Sequence, residues 1–345
     1  MTATTDRPSR QVILARVPEG MPSIDDFAVV DAVVPAPGPG QVRVRVLELS
    51  LDPYLRTAII GRHLGEAAVP PGTLVPGRSV AVVEECGPPG PAPSGDAGLR
   101  VGDVVMAETG WREHAVLDAE GLAPIRVPEG VQPSHALGVL GMPGLTAYAA
   151  ITRQIRPCAG ETVVVSSATG GVGAVAGQLA RLAGARTIAV VGSPEKAKIA
   201  TSQLGYDVAV LRGSGFAERL AEATPDRVDG YLHMGDADTL AGVVSHLAVG
   251  ARISLIGLMD QYNGGPPTTM LVGPIIGARA TVHGMVVYDH NDLIDEQHEH
   301  LATLIRTGEL QVVEDRYQGL DQAPEAFARL MAGHNQGKVI VEVST

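Results

Sequence analysis

Cysteine is scarce in this sequence, since Cys86 and Cys158 are the only two among its 345 residues. Two cysteines cannot form the disulfide framework of a small secreted protein, and they cannot supply a four-cysteine zinc lobe. A chain of this length buries an ample core without such staples. Its length predicts two domains or one large one.

Positive charge and long apolar runs are lacking as well. The net charge is −12, which disfavours nucleic acid or an anionic membrane as the main partner. The sequence has no apolar run of about 18 residues, and its polar N-terminal segment has no apolar core typical of a targeting peptide. We therefore expect a cytoplasmic protein with no membrane partner. An anionic cofactor stays possible, because it needs only local positive groups.

Two sequence patterns meet near residue 125. Before it, short segments such as Gln41–Val46 alternate apolar and polar residues between Gly/Pro turns, which is typical of an antiparallel barrel or sandwich. After it, strands and helices alternate, which predicts a doubly wound parallel sheet. The tail Lys338–Val343 alternates again and is expected to rejoin the first domain. We place that domain at residues 1–127 and 312–345, and the second at 128–311. Gly87–Gly98 is expected to be a mobile surface loop.

A Gly-rich segment follows the predicted strand Glu161–Val165 and precedes a predicted helix. Counted at Ala168, Gly170 and Gly173, it is a dinucleotide fingerprint with Ala at the first Gly position. Small residues let the backbone approach a pyrophosphate, and N–H groups at the helix start hold the phosphates. The predicted cofactor contacts are Ala168, Thr169, Gly170, Gly171, Val172 and Gly173. The alternative interpretation of this segment is a Gly-rich turn in an α/β protein that binds no nucleotide.

The choice between NAD and NADP is made about 20 residues further along. An NAD site would have Asp or Glu at the end of the second strand, whereas this chain has Ser193 and Lys196 there, with Arg212 after the next short strand. These groups can bind a 2′-phosphate, so we predict NADPH rather than NADH. Glu195 argues against this preference unless it faces solvent, as we expect.

Four short motifs, taken in order, resemble one zinc-free branch of the medium-chain dehydrogenase/reductase family, and the resemblance covers nearly the whole chain. The branch contains the leukotriene hydroxydehydrogenase/prostaglandin, alkenal and curcumin double-bond reductases. The matching segments are Asp52-Pro53-Tyr54-Leu55-Arg56, Gly141-Met142-Pro143-Gly144-Leu145-Thr146-Ala147-Tyr148, Tyr262-Asn263 and Asn335-Gln336-Gly337-Lys338.

This resemblance implies a chaperonin-10-like β-barrel catalytic domain, a doubly wound Rossmann domain and a homodimer. It implies further NADPH contacts at Met142, Thr146 and Asn335. The sequence has neither the Cys of the first motif nor the later Gly-His-Glu that zinc-dependent relatives use, so we expect no metal. The other metal candidate is the cluster of Asp289-His290 and His298-Glu299-His300. Histidines two residues apart do not share a helix face, and a solvated polar helix explains the cluster better.

One segment departs from the branch pattern. Where the family has Asp-Asn-Val-Gly, this chain has Leu232-His233-Met234-Gly235-Asp236, apparently one residue shorter. The segment is expected to lie near the nicotinamide ribose, so it bears on how the cofactor is held.

The resemblance also implies NADPH-dependent reduction of a carbon–carbon double bond conjugated to a carbonyl in a small molecule. Hydride addition leaves negative charge on the carbonyl oxygen, which calls for a neutral donor such as tyrosine. Tyr262 and Tyr54 are the candidate donors, although either could be a packed core residue. Arg56 either orients substrate or braces its loop.

Three other functions fit the same fold. A quinone reductase would share both fold and NADPH. A biosynthetic enzyme could use the same site for different chemistry. A non-catalytic NADPH-binding protein is the third alternative, which the two tyrosines disfavour and the altered segment around His233 leaves open.

Overall fold

The structure is a computed structural model that describes residues 6–90, 98–125 and 130–344. The strands in these ranges are β1 (Arg7–Leu14), β2 (Phe27–Val34), β3 (Gln41–Leu51), β4 (Ser79–Cys86), β5 (Val104–Ala107), β6 (His114–Asp118), β7 (Thr162–Ser166), β8 (Arg186–Val191), β9 (Val208–Leu211), β10 (Val228–His233), β11 (Leu247–Leu255), β12 (Thr281–Gly284), β13 (Glu314–Gln318) and β14 (Lys338–Glu342). The α-helices are α1 (Tyr54–Ile59), α2 (Met142–Ala149), α3 (Gly173–Leu182), α4 (Pro194–Ser202), α5 (Phe216–Ala223), α6 (Ala237–Val244), α7 (Met259–Tyr262), α8 (Val272–Ala278), α9 (Ile294–Arg306) and α10 (Ala323–Met331).

Contacts divide the chain into two compact units. The first contains Met1–Leu137, Asp315–Asn335 and Val339–Thr345, and the second contains Gly138–Glu314 and Gln336–Lys338. Most of the predicted loop Gly87–Gly98 lies outside the described residues. No helix in the described part of the chain is long and apolar enough to cross a membrane.

The first unit is built around the long strand β3. One edge of β3 pairs antiparallel with β4, while Gln41–Arg45 pair with β6 and Glu48–Leu51 pair with β14. Register shifts near Val44 and Val46 bend the strand, as β-bulges do. A strand that exchanges partners along its length gives this unit its barrel-like form, as the sequence predicts.

An aromatic cluster fills the core of the first unit. Trp111 is fully buried, stacks on Phe27 with ring centroids 5.4 Å apart, and meets Phe327 of α10 edge-on at 5.6 Å. The chain has one Trp and three Phe, so most of its largest apolar rings lie here. Helix α10, in the C-terminal segment, therefore contributes Phe327 to this core.

The second unit is a six-stranded parallel sheet with the order β12-β11-β10-β7-β8-β9. Chain order reverses between β7 and β10, which is where ligands bind in doubly wound sheets. The predicted Rossmann fold is confirmed. Strand β11 begins at Leu247 and pairs with β10 in an irregular register. Strand β12 ends at Gly284, and the short helix Val287–Leu293 follows it.

Helix α3 lies unusually close to the segment after α4. Gly177 faces the ring of Tyr206, and a Cβ on Gly177 would lie 2.0 Å from Tyr206 Cζ. The Tyr206 hydroxyl donates a 2.7 Å hydrogen bond to the carbonyl oxygen of Gly173. Even the smallest side chain at position 177 would displace that ring.

We therefore expect Gly177→Ala to destabilise the second unit by about 1–3 kcal/mol, the usual range for overpacking, and urea unfolding measures this. Gly277→Ala is a matched control, because Gly277 lies in α8 with open space where a Cβ would stand. That change should be neutral or stabilising by up to about 1 kcal/mol, since Ala favours helices over Gly. Equal unfolding midpoints for the two variants would contradict the close approach.

Candidate dinucleotide site

The Gly-rich loop connects the end of β7 to the start of α3, as predicted. Ser167 takes a left-handed conformation (φ 49°), and Gly170 N donates to Ser167 O at 2.9 Å. Ala168 and Thr169 are buried, while Gly170, Gly171 and Val172 are partly exposed. The loop therefore presents backbone at the carboxyl edge of the central strand, next to the point where chain order reverses.

Gly173 allows the helix to begin directly against the strand end. A Cβ at this position would lie 2.5 Å from Ser167 O and 2.8 Å from Ala168 Cα, so a side chain cannot fit. This is the close helix–strand packing that the third Gly of the fingerprint provides.

The end of β8 carries the groups predicted to bind a 2′-phosphate. Ser193 caps helix α4, and its hydroxyl accepts a hydrogen bond from Lys196 N at 3.3 Å. Lys196 is partly exposed. Glu195 is exposed, but hydrogen bonding with the Ser193 side chain lowers the pKa of its carboxyl group. This carboxylate therefore lies beside Ser193 and stays exposed to solvent.

Arg212 follows β9 and lies across the end of β8. Its Nε is 3.3 Å from the position a Cβ would take at Gly192. Its Nη1 lies 3.2 Å from Asp236 Oδ2 in an ion pair. Asp236 also caps α6, because its Oδ1 accepts from Thr239 N at 2.7 Å. Sequence reasoning missed Asp236, whose only sequence signal was its position in the segment that departs from the branch pattern.

His233 ends β10 and is fully buried. Its Nδ1 lies 2.7 Å from the Tyr231 hydroxyl, and Nε2 has no hydrogen-bond partner within the described residues. Burial lowers the pKa of His233 to about 4, so the ring is neutral at pH 7. Ser166, the last residue of β7, accepts from Met234 N at 2.7 Å and donates to Leu232 O at 3.1 Å. The altered segment is thus tied to the strand that precedes the Gly-rich loop.

Helix α2 carries Met142 and Thr146. Thr146 is buried and donates its hydroxyl hydrogen to Met142 O at 2.8 Å, which leaves its oxygen as an acceptor. Lys338 was missed as a site residue, although the closing Asn-Gln-Gly-Lys motif contains it. It is buried, and its Cδ lies 3.2 Å from the position a Cβ would take at Gly171. The lysine stem therefore lines the Gly-rich loop.

Tyr262 is the last residue of the short helix α7. Its side chain is partly buried, and its hydroxyl is 3.3 Å from the position a Cβ would take at Gly257. Burial raises the pKa of Tyr262, partly offset by hydrogen bonding with the Leu258 backbone. The phenol is therefore protonated at neutral pH.

The remaining predicted residues belong to the first unit. Tyr54 begins α1, and its ring centroid is 4.9 Å from that of His63. Arg56 is buried and donates to Pro18 O at 3.1 Å and Gly20 O at 3.0 Å. Of the two roles the sequence leaves open for Arg56, these bonds support bracing of the loop. Asn335 is buried.

Two family models match the chain. The first, "N-terminal domain of oxidoreductase", covers residues 10–125, and the second, "Zinc-binding dehydrogenase", covers residues 171–303. An NADPH-dependent curcumin reductase of Escherichia coli (strain K12) is 34% identical, with 97% of each chain covered. A 2-alkenal reductase (NADP⁺-dependent) of Nicotiana tabacum is 32% identical over 97% of this chain and 98% of the relative. The crystal structure of CurA from Vibrio vulnificus in complex with NADPH matches with a TM-score of 0.89 and 33% identity, covering 97% and 99% of the two chains.

The chain belongs to the medium-chain dehydrogenase/reductase family. Within this family it is a member of the zinc-independent branch that contains the curcumin and alkenal reductases. The resemblance stated from its motifs is therefore confirmed.

The second family model is described as a zinc-binding dehydrogenase, so we asked whether the side chains of this chain could hold zinc. Within residues 6–90, 98–125 and 130–344, no group of three or more His, Cys, Asp or Glu side chains is arranged to hold a metal ion. His298 and His300 lie on the exposed side of α9, where His298 bonds to Leu140 O and His300 approaches the Tyr148 hydroxyl. The donor groups of the described residues do not fit zinc, and we assign no chemical step to a metal.

Proposed function

We propose that this protein reduces the carbon–carbon double bond of an α,β-unsaturated carbonyl compound with NADPH. The observation that carries the proposal is the arrangement at the carboxyl edge of β7, β8 and β9. This edge combines a Gly-rich loop with the phosphate-binding types Ser193, Lys196 and Arg212. The names of the Escherichia coli and Nicotiana tabacum relatives and the NADPH in the Vibrio vulnificus structure support it.

The residues of the loop and of α3 fit a dinucleotide. The N-terminal N–H groups of α3 suit a diphosphate, and the absence of a side chain at Gly173 lets that helix start close to it. Ser193, Lys196 and Arg212 would hold the 2′-phosphate, while Met142 and Thr146 would line the nicotinamide end. NADPH, when bound, supplies the hydride.

The side chains of this chain act on the charge that the reduction creates. As the substrate becomes an enolate, its oxygen needs a hydrogen-bond donor that stays protonated at neutral pH. Tyr262 satisfies this requirement, because burial raises its pKa. Tyr54 is the second candidate donor.

Lys196→Ala should weaken NADPH binding about tenfold, which corresponds to about 1.4 kcal/mol, and leave NADH binding unchanged. A charge-assisted contact to the 2′-phosphate accounts for the difference. Lys198→Ala is the matched control, because Lys198 is exposed on the same helix. Isothermal titration calorimetry with both cofactors gives the dissociation constants. Equal constants for NADPH and NADH in the unmodified protein would refute the proposed cofactor.

Tyr262→Phe removes only the hydroxyl and should slow enone reduction by about 10²–10³ in turnover, with NADPH affinity unchanged. Steady-state NADPH consumption against a panel of enals and enones measures this. Tyr288→Phe is a control, since Tyr288 is 42% exposed. If Tyr54 is the donor, Tyr54→Phe shows the large loss instead. Wild-type turnover in both single variants and the double variant would rule out a tyrosine donor.

We also propose a cytoplasmic homodimer. Strand β12 is an edge of the parallel sheet, and the preceding helix α8 exposes Val272 by 66% and Ile276 by 69%. Covering such an edge and apolar face removes a site for aggregation. Both cysteines are exposed free thiols, which suits a reducing compartment.

Sedimentation equilibrium should therefore give twice the chain mass of 35.7 kDa. Ile276→Asp is expected to shift the protein to monomer, because it would bury a charge in the interface. Val249→Asp, at a site 68% exposed elsewhere in the second unit, should leave the dimer intact. A monomeric wild-type protein at micromolar concentration would exclude the homodimer.

A further inference from the structure

The ion pair between Arg212 and Asp236 connects two loops that are not neighbours in the sheet. Arg212 follows β9 and Asp236 follows β10, while β7 and β8 lie between those two strands. The pair, 3.2 Å between Nη1 and Oδ2, therefore crosses the carboxyl ends of β7 and β8. In sheets of this type, that edge is where the dinucleotide lies.

Asp236 and Arg212 differ in how strongly their side chains are constrained by neighbouring groups. Asp236 is fixed at the start of α6 by its hydrogen bond from Thr239 N, and its side chain is 17% exposed. The Arg212 side chain is 47% exposed and has several rotatable bonds. Burial alone would raise the pKa of Asp236, but hydrogen bonds from Thr239 and Arg212 hold it below its ordinary value. Asp236 is therefore charged at neutral pH, and Arg212 is the more exposed member of the pair.

The guanidinium also lies beside the predicted 2′-phosphate groups. Arg212 Nε is 3.3 Å from the position a Cβ would take at Gly192, and Ser193 is the next residue. A small movement of the guanidinium would bring it to a phosphate bound at Ser193. A phosphate at that position would compete with the carboxylate of Asp236 for the guanidinium of Arg212.

We propose that Asp236 reduces the preference of this protein for NADPH over NADH, because its carboxylate competes with the 2′-phosphate of NADPH for Arg212. In the free protein and with NADH, Arg212 pairs with Asp236. With NADPH, the guanidinium exchanges the carboxylate for the phosphate, and breaking the ion pair reduces the gain in affinity. Asp236 is therefore a specificity-determining residue that moderates the preference for NADPH. This inference rests on the proposed NADPH site.

The test compares cofactor dissociation constants by calorimetry in four proteins: wild type, Asp236→Asn, Arg212→Met and the double variant. Asparagine keeps the cap of α6, because Asn and Asp cap helices about equally well, but it removes the charge. We expect Asp236→Asn to tighten NADPH binding about three- to tenfold at low salt, to leave NADH binding within twofold, and to lose most of this gain at high salt.

The double variant separates competition from simple repulsion. If Asp236 acts through Arg212, the gain from Asp236→Asn disappears in the Arg212→Met background, as a coupled pair requires. Three outcomes overturn the proposal. An unchanged NADPH constant in Asp236→Asn would assign Asp236 to helix capping alone, and weaker NADPH binding would show that Asp236 orients Arg212 instead. An equal gain without Arg212 would indicate direct repulsion.

The wild-type measurement distinguishes this result from failure of the proposed function. A wild-type protein that does not prefer NADPH contradicts the proposed cofactor. If the wild-type protein prefers NADPH and the variants give any of the three overturning outcomes, only the proposed competition for Arg212 is contradicted. Thermal unfolding of Asp236→Asn should match wild type, which confirms that the cap is preserved.

Discussion

The close backbone approach between the start of α3 and the turn after β7 is the constraint on which the candidate site depends. Only a residue without a side chain fits at position 173, because Ser167 O and Ala168 Cα occupy that space. The Tyr206 hydroxyl bonds to the carbonyl oxygen of the same residue. The loop conformation, the helix direction and the packing of the neighbouring segment are therefore fixed together. The phosphate-binding groups at β8 and β9 take their positions relative to this framework.

Charge around the site is mixed, although the chain as a whole is acidic. Glu195 lies beside Ser193, and Asp236 lies beside Arg212, so two of the three phosphate-binding groups have an acidic neighbour. A site of this kind binds an anion through local geometry instead of through a broad positive field. Its affinity should then depend on which pairs form and break more than on net charge.

The main features of the fold follow from patterns within short stretches of sequence. Buried parallel strands appear as apolar runs, the Gly-rich loop identifies the phosphate end, and four motifs identify the family. The pairing of Arg212 with Asp236 could not be predicted, because it depends on strand order, which brings together residues 24 apart in sequence. The Arg56 bonds to Pro18 and Gly20 depend in the same way on the path of a distant loop. The predicted roles of Tyr262 and Tyr54 stay predictions.

The aromatic cluster of the first unit has a spectroscopic consequence. Trp111 is the only tryptophan in the chain, and it is fully buried between Phe27 and Phe327. Tryptophan emission therefore reports on the barrel-like unit alone, because the parallel-sheet unit contains tyrosine but no tryptophan. Intrinsic fluorescence excited at the red edge of tryptophan absorption would follow the opening of one unit selectively, and far-ultraviolet circular dichroism would follow both. Comparing the two signals during unfolding would reveal whether the units lose structure together or in sequence.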